Sequence, residues 1–203
     1  LVSSGVSMVL GTYGSAVAIA AGKVFKEAGM PALGITCTNP QVTEGNPVYF
    51  RICFLDPFQG TVLANFAYEN GARKAYCLSK LGDDYSVGLV NYFVEAFEKL
   101  GGKVVEEQFP QGNSDFTSYV ANAKAKGCDV FYSPVSIEAA ALIIDQAEAQ
   151  KLGMPILAGD TWDSNVVLEA AKGKDIELNV TTFYQEGGNP DFDNGIKEWI
   201  NSD

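Results

Sequence analysis

Pro31-Ala-Leu-Gly-Ile-Thr-Cys-Thr-Asn-Pro40 decides how this chain is read. Pro31 to Ile35 is a short apolar run of the kind that makes a buried strand. It gives way to a loop of small hydroxyl residues, and Pro40 stops that loop from becoming a helix. Upstream, Val6 to Leu10 is a second such strand. It breaks at Gly11-Thr-Tyr-Gly-Ser15 and runs into an Ala-rich helix, Ala16 to Ala28. Two neighbouring parallel strands would then present Ser and Thr hydroxyls and free backbone N–H groups at their carboxyl ends, where open α/β sheets take their ligands. Loop amides and a helix N-terminus favour a carboxylate or another small anion. Taken singly, Ser15 is equally an N-cap and Thr38 a turn residue. On adjacent loops they make a candidate anion site.

Strands and helices alternate along the rest of the chain. Strands are expected at Val48–Phe54, Lys74–Ser79, Lys103–Gln108, Val130–Ser133, Pro155–Ala158 and Asn179–Phe183. Helices are expected at Gln59–Glu69, Tyr85–Leu100, from Ser114 or Asp115 to about Ala125, at Ser136–Lys151, Ser164–Ala171 and Pro190–Ile200. The Tyr85–Leu100 segment carries an apolar stripe at Val87, Val90, Val94, Phe97 and Leu100. This alternation implies βαβ units, with parallel sheets covered by helices on both faces. Pro57 forces a turn near Leu55-Asp56, and Gln185-Glu-Gly-Gly-Asn-Pro190 is a second seam. The division expected is therefore 1–55, part of a first lobe; 56–183, a second lobe of five strands and five helices; and 184–203, a return into the first. The outer pieces supply few strands, so the first lobe is expected to be incomplete.

Composition excludes several functions. The 203 residues carry a net charge of −11 and no basic run, which argues against nucleic acid and anionic membranes as partners. No apolar segment approaches the ~20 residues that span a bilayer, so direct membrane insertion is not expected. Opening on Leu1, the chain is expected to be a mature form or a fragment. There is no histidine, which removes Ser-His-Asp and Cys-His catalysis and imidazole metal sites. The four cysteines, Cys37, Cys53, Cys77 and Cys128, have no Cys-x-x-Cys spacing, so a zinc site is not expected. Three of them, Cys53, Cys77 and Cys128, read as small buried hydrophobes. No Gly-x-Gly-x-x-Gly or Gly-x-x-x-x-Gly-Lys-Ser/Thr loop follows a strand. No cofactor and no catalytic activity are expected.

Five motifs in order carry a resemblance: Gly11-Thr-Tyr-Gly-Ser15, Gly34-Ile-Thr-Cys-Thr-Asn-Pro40, Phe50-Arg-Ile-Cys-Phe-Leu-Asp-Pro-Phe-Gln-Gly60, Gly82-Asp-Asp-Tyr-Ser-Val-Gly88 and Gly159-Asp-Thr-Trp-Asp-Ser164. The chain resembles the extracellular solute-binding proteins of ABC transporters for branched-chain and related amino acids. The resemblance implies an α/β, type I periplasmic-binding-protein fold of two doubly wound parallel-sheet lobes. Here the first lobe would lack its opening βα units and the C-terminal third of a full member. It implies a small-molecule amino acid as ligand and ABC transporter permease subunits as partners. It implies a periplasmic or extracellular location, with a lipid anchor as one means of membrane association. By the same likeness Ser15, Thr36, Cys37 and Thr38 match positions that hold the ligand's carboxylate and part of its ammonium. Asp160 matches the carboxylate that pairs with the ammonium. Tyr85, Val135 and Ser136 match cleft-lining positions of the second lobe. Trp162, an aromatic in a loop, is added as a cleft wall on its own account.

The residues support this likeness physically, because a zwitterion needs donors at one end and an acceptor at the other. Asp163 or Ser164 is the better cap for the helix that follows, which leaves Asp160 free. Tyr13, Ala158 and the other apolar cleft positions, with Lys80 and Arg51 expected to lie off the cleft, favour a small or aliphatic neutral side chain. Two other classes compete. A ligand-sensing regulatory domain of the same fold reads identically in sequence. A Rossmann or flavodoxin-like nucleotide or flavin enzyme is disfavoured by the missing phosphate loop.

Overall fold

A computed structural model describes residues 1–201, which build two separate parallel sheets. In the first, β1 (Val9–Leu10), β2 (Ala32–Gly34) and β3 (Tyr49–Arg51) lie in that order, with Val9 beside Ala32 and Ala32 beside Tyr49. The helix α1 (Ser15–Ala28) crosses from β1 to β2 and buries Ala18 and Phe25 against Ala32 and Tyr49. It stops at Gly29, whose left-handed φ of 62° lets the Met30 N–H reach back to the Phe25 carbonyl at 2.9 Å. Arg51, at the end of β3, clamps the loop after β2. Its guanidinium donates to the carbonyls of Cys37 (3.0 Å), Asn39 (2.8 Å) and Pro40 (2.9 Å). A planar group with several donors in a fixed fork suits such a cluster of carbonyls.

Next come α2 (Asp56–Glu69), β4 (Lys74–Lys80), α3 (Asp84–Lys99), β5 (Lys103–Phe109), α4 (Thr117–Ala125), β6 (Val130–Tyr132), α5 (Ile137–Ala149), β7 (Ile156–Ala158), α6 (Asn165–Ala171) and β8 (Leu178–Val180). The chain ends in α7 (Pro190–Ile200), capped by the Asn189 side chain. The second sheet has the order β5-β4-β6-β7-β8, all parallel. Side chains of β4 alternate between two cores. Tyr76 and Leu78 join Phe131, Ile143, Ile144 and Ile156, whereas Ala75 and Cys77 join Leu89, Phe93 and Tyr132. A parallel sheet buried on both faces needs this continuous apolar strand. Each such large side chain contributes about 1.5–3 kcal/mol on burial. The four ion pairs among the described residues join mostly exposed groups, worth about 0–1 kcal/mol each, so packing dominates.

Several boundaries differ from the sequence expectation. The change of direction falls at Leu55, which is extended (φ −109°, ψ 147°), and α2 begins at Asp56 with Pro57 inside its first turn. Proline is tolerated there because first-turn N–H groups have no intrahelical acceptor. The expected strand Val48–Phe54 shortens to Tyr49–Arg51, because the β2 it pairs with has only three residues. The last strand ends at Val180 rather than Phe183. Beyond β3 and β8 the two chain segments meet, with Phe54 and Phe183 stacked at 4.2 Å and 18°.

Helices α2 and α3 pack closely at Gly60, where a Cβ would stand 2.8 Å from both the Phe93 nitrogen and the Tyr92 Cβ. Gly60→Ala should therefore force α2 away from α3 and lower stability by about 1–3 kcal/mol. Urea denaturation checks this; an unchanged midpoint would show that the helices yield without loss.

Candidate functional site

In the second sheet the chain starts at β4, adds β5 on one side and returns to the other with β6, so the switch point lies between β4 and β6. Open α/β sheets leave a crevice at the carboxyl ends of such strands. A cleft of about 650 Å³ opens there and faces the loops after β1 and β2. Tyr13, Ser15 and Thr36 line it from the first sheet, and Lys80, Tyr85 and Asp160 from the second.

The first wall presents hydrogen-bond donors. Gly14 caps α1 without a side-chain hydrogen bond, and Gly14, Ser15, Ala16 and Val17 all line the cleft. The first-turn amides of a 14-residue helix thus face it, with the positive end of the helix dipole behind them. Ser15 is 2% exposed, and its Oγ accepts from the Asn39 N–H at 3.2 Å, which leaves its O–H to donate. Thr36 Oγ1 donates to the Tyr13 carbonyl at 2.9 Å and so braces the two loops together.

The opposite wall carries an acceptor. Asp160 follows β7, and its Oδ1 accepts from the Tyr85 hydroxyl (2.8 Å) and from Gln59 Nε2 (3.0 Å). Its own N–H donates to Gln59 Oε1 at 2.9 Å. Burial raises its carboxyl above the ordinary value, opposed by the Tyr85 and Gln59 donors. Tyr85 is raised well above its ordinary value by burial and by the Asp160 charge. Behind them lies Asp56, fully buried, its Oδ1 3.3 Å from Gln59 Nε2. Burial pushes its carboxyl up to about 7, and the Asp160 charge adds to the effect. At the rim, Glu138 is held below the usual carboxylate range by the Ser136 hydroxyl, its own backbone amide and the Lys80 charge.

Of the residues singled out from sequence, Ser15, Thr36, Tyr85, Ser136 and Asp160 meet in the cleft. Four do not line it. Cys37 is wholly buried, its Sγ donating to the Thr12 carbonyl at 2.6 Å. Thr38 is wholly buried beside Asp56, where neither its Oγ1 nor Asp56 Oδ2 closes a hydrogen bond of good geometry. Val135 lies in the core, and its carbonyl accepts from Thr161 Oγ1 (2.9 Å) and Trp162 Nε1 (2.8 Å). Trp162 is 1% exposed: it packs in the core rather than forming a cleft wall, because its indole N–H finds an acceptor only inward. Ala158 is likewise core, whereas Tyr13 lines the cleft. Lys80, expected off the cleft, lines it, because it ends β4 at the switch point. Cys53 is only partly buried. Sequence reasoning missed Gln59 and Thr161. The signal for Gln59 was the Asp56-Pro-Phe-Gln59 spacing, which puts both polar groups on one face of the first turn of α2.

An α/β chain whose two sheets face each other across a cleft, with a wall of donors opposite a carboxylate, has the build of a solute-binding protein. A family profile described as periplasmic binding protein matches residues 1–199, and the chain belongs to that family, with its type I fold. It is 31% identical over 192 residues to Leu/Ile/Val-binding protein homolog 1 of Brucella suis biovar 1 (strain 1330), covering 93% of this chain and 52% of that protein. The chain thus spans about half the length of the curated relatives it matches. The structure of a leucine-binding protein, LivK of Thermotoga maritima MSB8, superposes with a TM-score of 0.88 at 33% identity, over 98% of this chain and 58% of that one. LivJ of Streptococcus pneumoniae, in complex with isoleucine, gives 0.75 at 28%, over 84% and 49%. A benzoate-bound solute-binding protein of R. palustris shares the fold at 22% identity, with a TM-score of 0.86 over 98% and 56%.

The raised carboxyl of Asp56 has a signed consequence. With its folded value near 7 and its unfolded value near 3.8, the folded state holds the proton more tightly. The contribution to stability is complete below about pH 4 and is lost as pH rises through about 7, at about 1.4 kcal/mol per unit within that window. Asp56→Asn should flatten that decline, leaving the shallower one due to Asp160. Denaturant unfolding at pH 5 and pH 8 checks this; an equal decline in both proteins would show that Asp56 titrates normally.

Proposed function

We propose that this chain supplies cleft walls of an ABC transporter solute-binding protein that holds an α-amino acid and delivers it to permease subunits without chemical turnover. The observation that carries the reading is the pair of opposed walls: the uncapped N-terminus of α1 with Ser15 on one side, Asp160 with Tyr85 on the other. The ligand carboxylate would sit on the α1 amides and the Ser15 hydroxyl. The ammonium would sit on Asp160, and Tyr85 and Gln59 would hold that carboxylate ready. The relatives named for leucine, isoleucine and valine support an amino acid as cargo. Lys80 in the cleft is offset by Glu138 at its rim, so a neutral aliphatic side chain remains the best match. The further site assignments are Thr36, Cys37, Thr38, Val135, Ser136 and Trp162. Thr36 and Ser136 act at the cleft surface, and the other four act from behind it as supports.

We also propose that the lobes divide at 55/56 and 183/184, with 184–203 returning to the first. The adjacent connections at Phe54 and Phe183 support this division. Family membership supports a periplasmic or extracellular location. No helix among the described residues is long and apolar enough to cross a membrane, and attachment through a lipid anchor fits this reading.

In the full-length protein, Asp160→Asn should weaken leucine binding by about 2–5 kcal/mol, as when a buried charge pair loses one partner. Calorimetry with leucine and with 4-methylpentanoate, which lacks the α-ammonium, checks it. Equal loss for the two ligands would make Asp160 structural. In the same assay leucine, isoleucine or valine should bind more tightly than glutamate or aspartate; the reverse order would assign Lys80 a ligand carboxylate.

A further inference from the structure

We propose that Gln59 is a positioning residue that locks the Asp160 carboxylate, and so the ammonium subsite, to the start of α2 and to the segment that follows β8. The inference rests on the reading of Asp160 as the ammonium acceptor. Gln59 is 1% exposed and lies in the first turn of α2, four residues after Leu55. All its polar capacity is engaged. Nε2 donates to Asp160 Oδ1 (3.0 Å) and to Asp56 Oδ1 (3.3 Å). Oε1 accepts from the Asp160 N–H (2.9 Å) and from the Thr181 hydroxyl.

Thr181 opens the segment after β8, in which Phe183 stacks on Phe54 of the segment after β3. One amide therefore grips Asp160 at both its side chain and its backbone, and ties it to Asp56 at the start of α2 and to Thr181 just beyond β8. An amide is the group this place requires. It sits between two carboxyls, so one end must donate. It also faces an N–H and a hydroxyl, so the other must accept. A glutamate would lack the donor and place another carboxyl between these two; a methionine would match the length and supply neither function. Gly159, just before Asp160, leaves room for this grip: a Cβ there would collide with the Tyr85 hydroxyl and stand 3.2 Å from Gln59 Oε1.

The test uses the full-length protein with Gln59→Met and Asp160→Asn, titrated with leucine and with 4-methylpentanoate. Gln59→Met should cost leucine about tenfold to a hundredfold in affinity, the loss expected for a hydrogen bond to a charged group, and leave 4-methylpentanoate nearly unchanged. Added to Asp160→Asn, it should cost no more, because it acts through that carboxylate. Equal loss for both ligands, or full additivity in the double variant, overturns the inference. If Asp160→Asn itself weakens both ligands alike, it is the ammonium reading that fails. If Asp160→Asn discriminates and Gln59→Met does not, only the role of Gln59 fails. A readout that needs no ligand is the carboxyl carbon-13 NMR titration of Asp160. Losing the Nε2 donor should raise its pKa in Gln59→Met, and an unchanged value also overturns the inference. Should Gln59→Met not fold, Thr181→Val frees Oε1 while keeping Gln59. It should cost leucine about threefold with no loss for 4-methylpentanoate, and no discrimination there counts against the proposal.

Discussion

A carboxylate half withdrawn from water stays ionised only while donors remain on it, and much of this structure answers to that constraint at Asp160. Its donors come from distant parts of the chain: Gln59 from the first turn of α2, Tyr85 from the first turn of α3, and Thr181 beyond β8 holding Gln59 in turn. Asp56 makes the constraint harder to meet, because a second buried carboxyl shares the same amide. Its proton affinity is pushed up to about 7 largely by burial, with the Asp160 charge opposing its ionisation. Two carboxyls so close are tolerated because one amide bridges them and the more deeply buried one shares the electrostatic load by holding its proton.

The parallel topology explains why such distant residues can meet. Every strand of the second sheet points the same way, so the loops after β4, β6 and β7 all open on one edge. Ser136 and Asp160 lie in the connections after β6 and β7, and Tyr85 lies in the first turn of α3, just past the loop after β4. Across the cleft, the loop after β1 leads straight into α1, so the same rule delivers a helix N-terminus to the facing wall. An acceptor wall opposite a donor wall is the least that a zwitterion requires, and neither wall depends on a metal or a titratable imidazole. The Arg51 clamp fixes the loop after β2, and the Thr36 hydroxyl, itself at the cleft surface, ties that loop to the one after β1.

Hydrophobic periodicity and glycine punctuation made the order of elements legible, because strands buried on both faces read as apolar runs and amphipathic helices repeat on a 3.6-residue period. Strand lengths were less legible. β3 and β8 stop where their neighbours stop, and no local propensity encodes a partner's length. The turn at Leu55 was legible, but the start of α2 was expected at Gln59 rather than Asp56, because proline is excluded from helix interiors but not from first turns.

By itself the sequence determined the α/β class, the two hydroxyl-bearing loops, the absence of imidazole chemistry and the acidic residue after the β7 strand. Each of these follows from residue type and local spacing. Only the tertiary structure decided which side chains face the cleft. Trp162 turned inward because the Val135 carbonyl offered its indole N–H a buried acceptor. Lys80 came to the cleft because β4 stands at the switch point. Gln59 became part of the site because a helix turn and a strand end 101 residues apart in sequence were brought within hydrogen-bond distance. Orientation and long-range proximity depend on packing, and no pattern of neighbours along the chain specifies them.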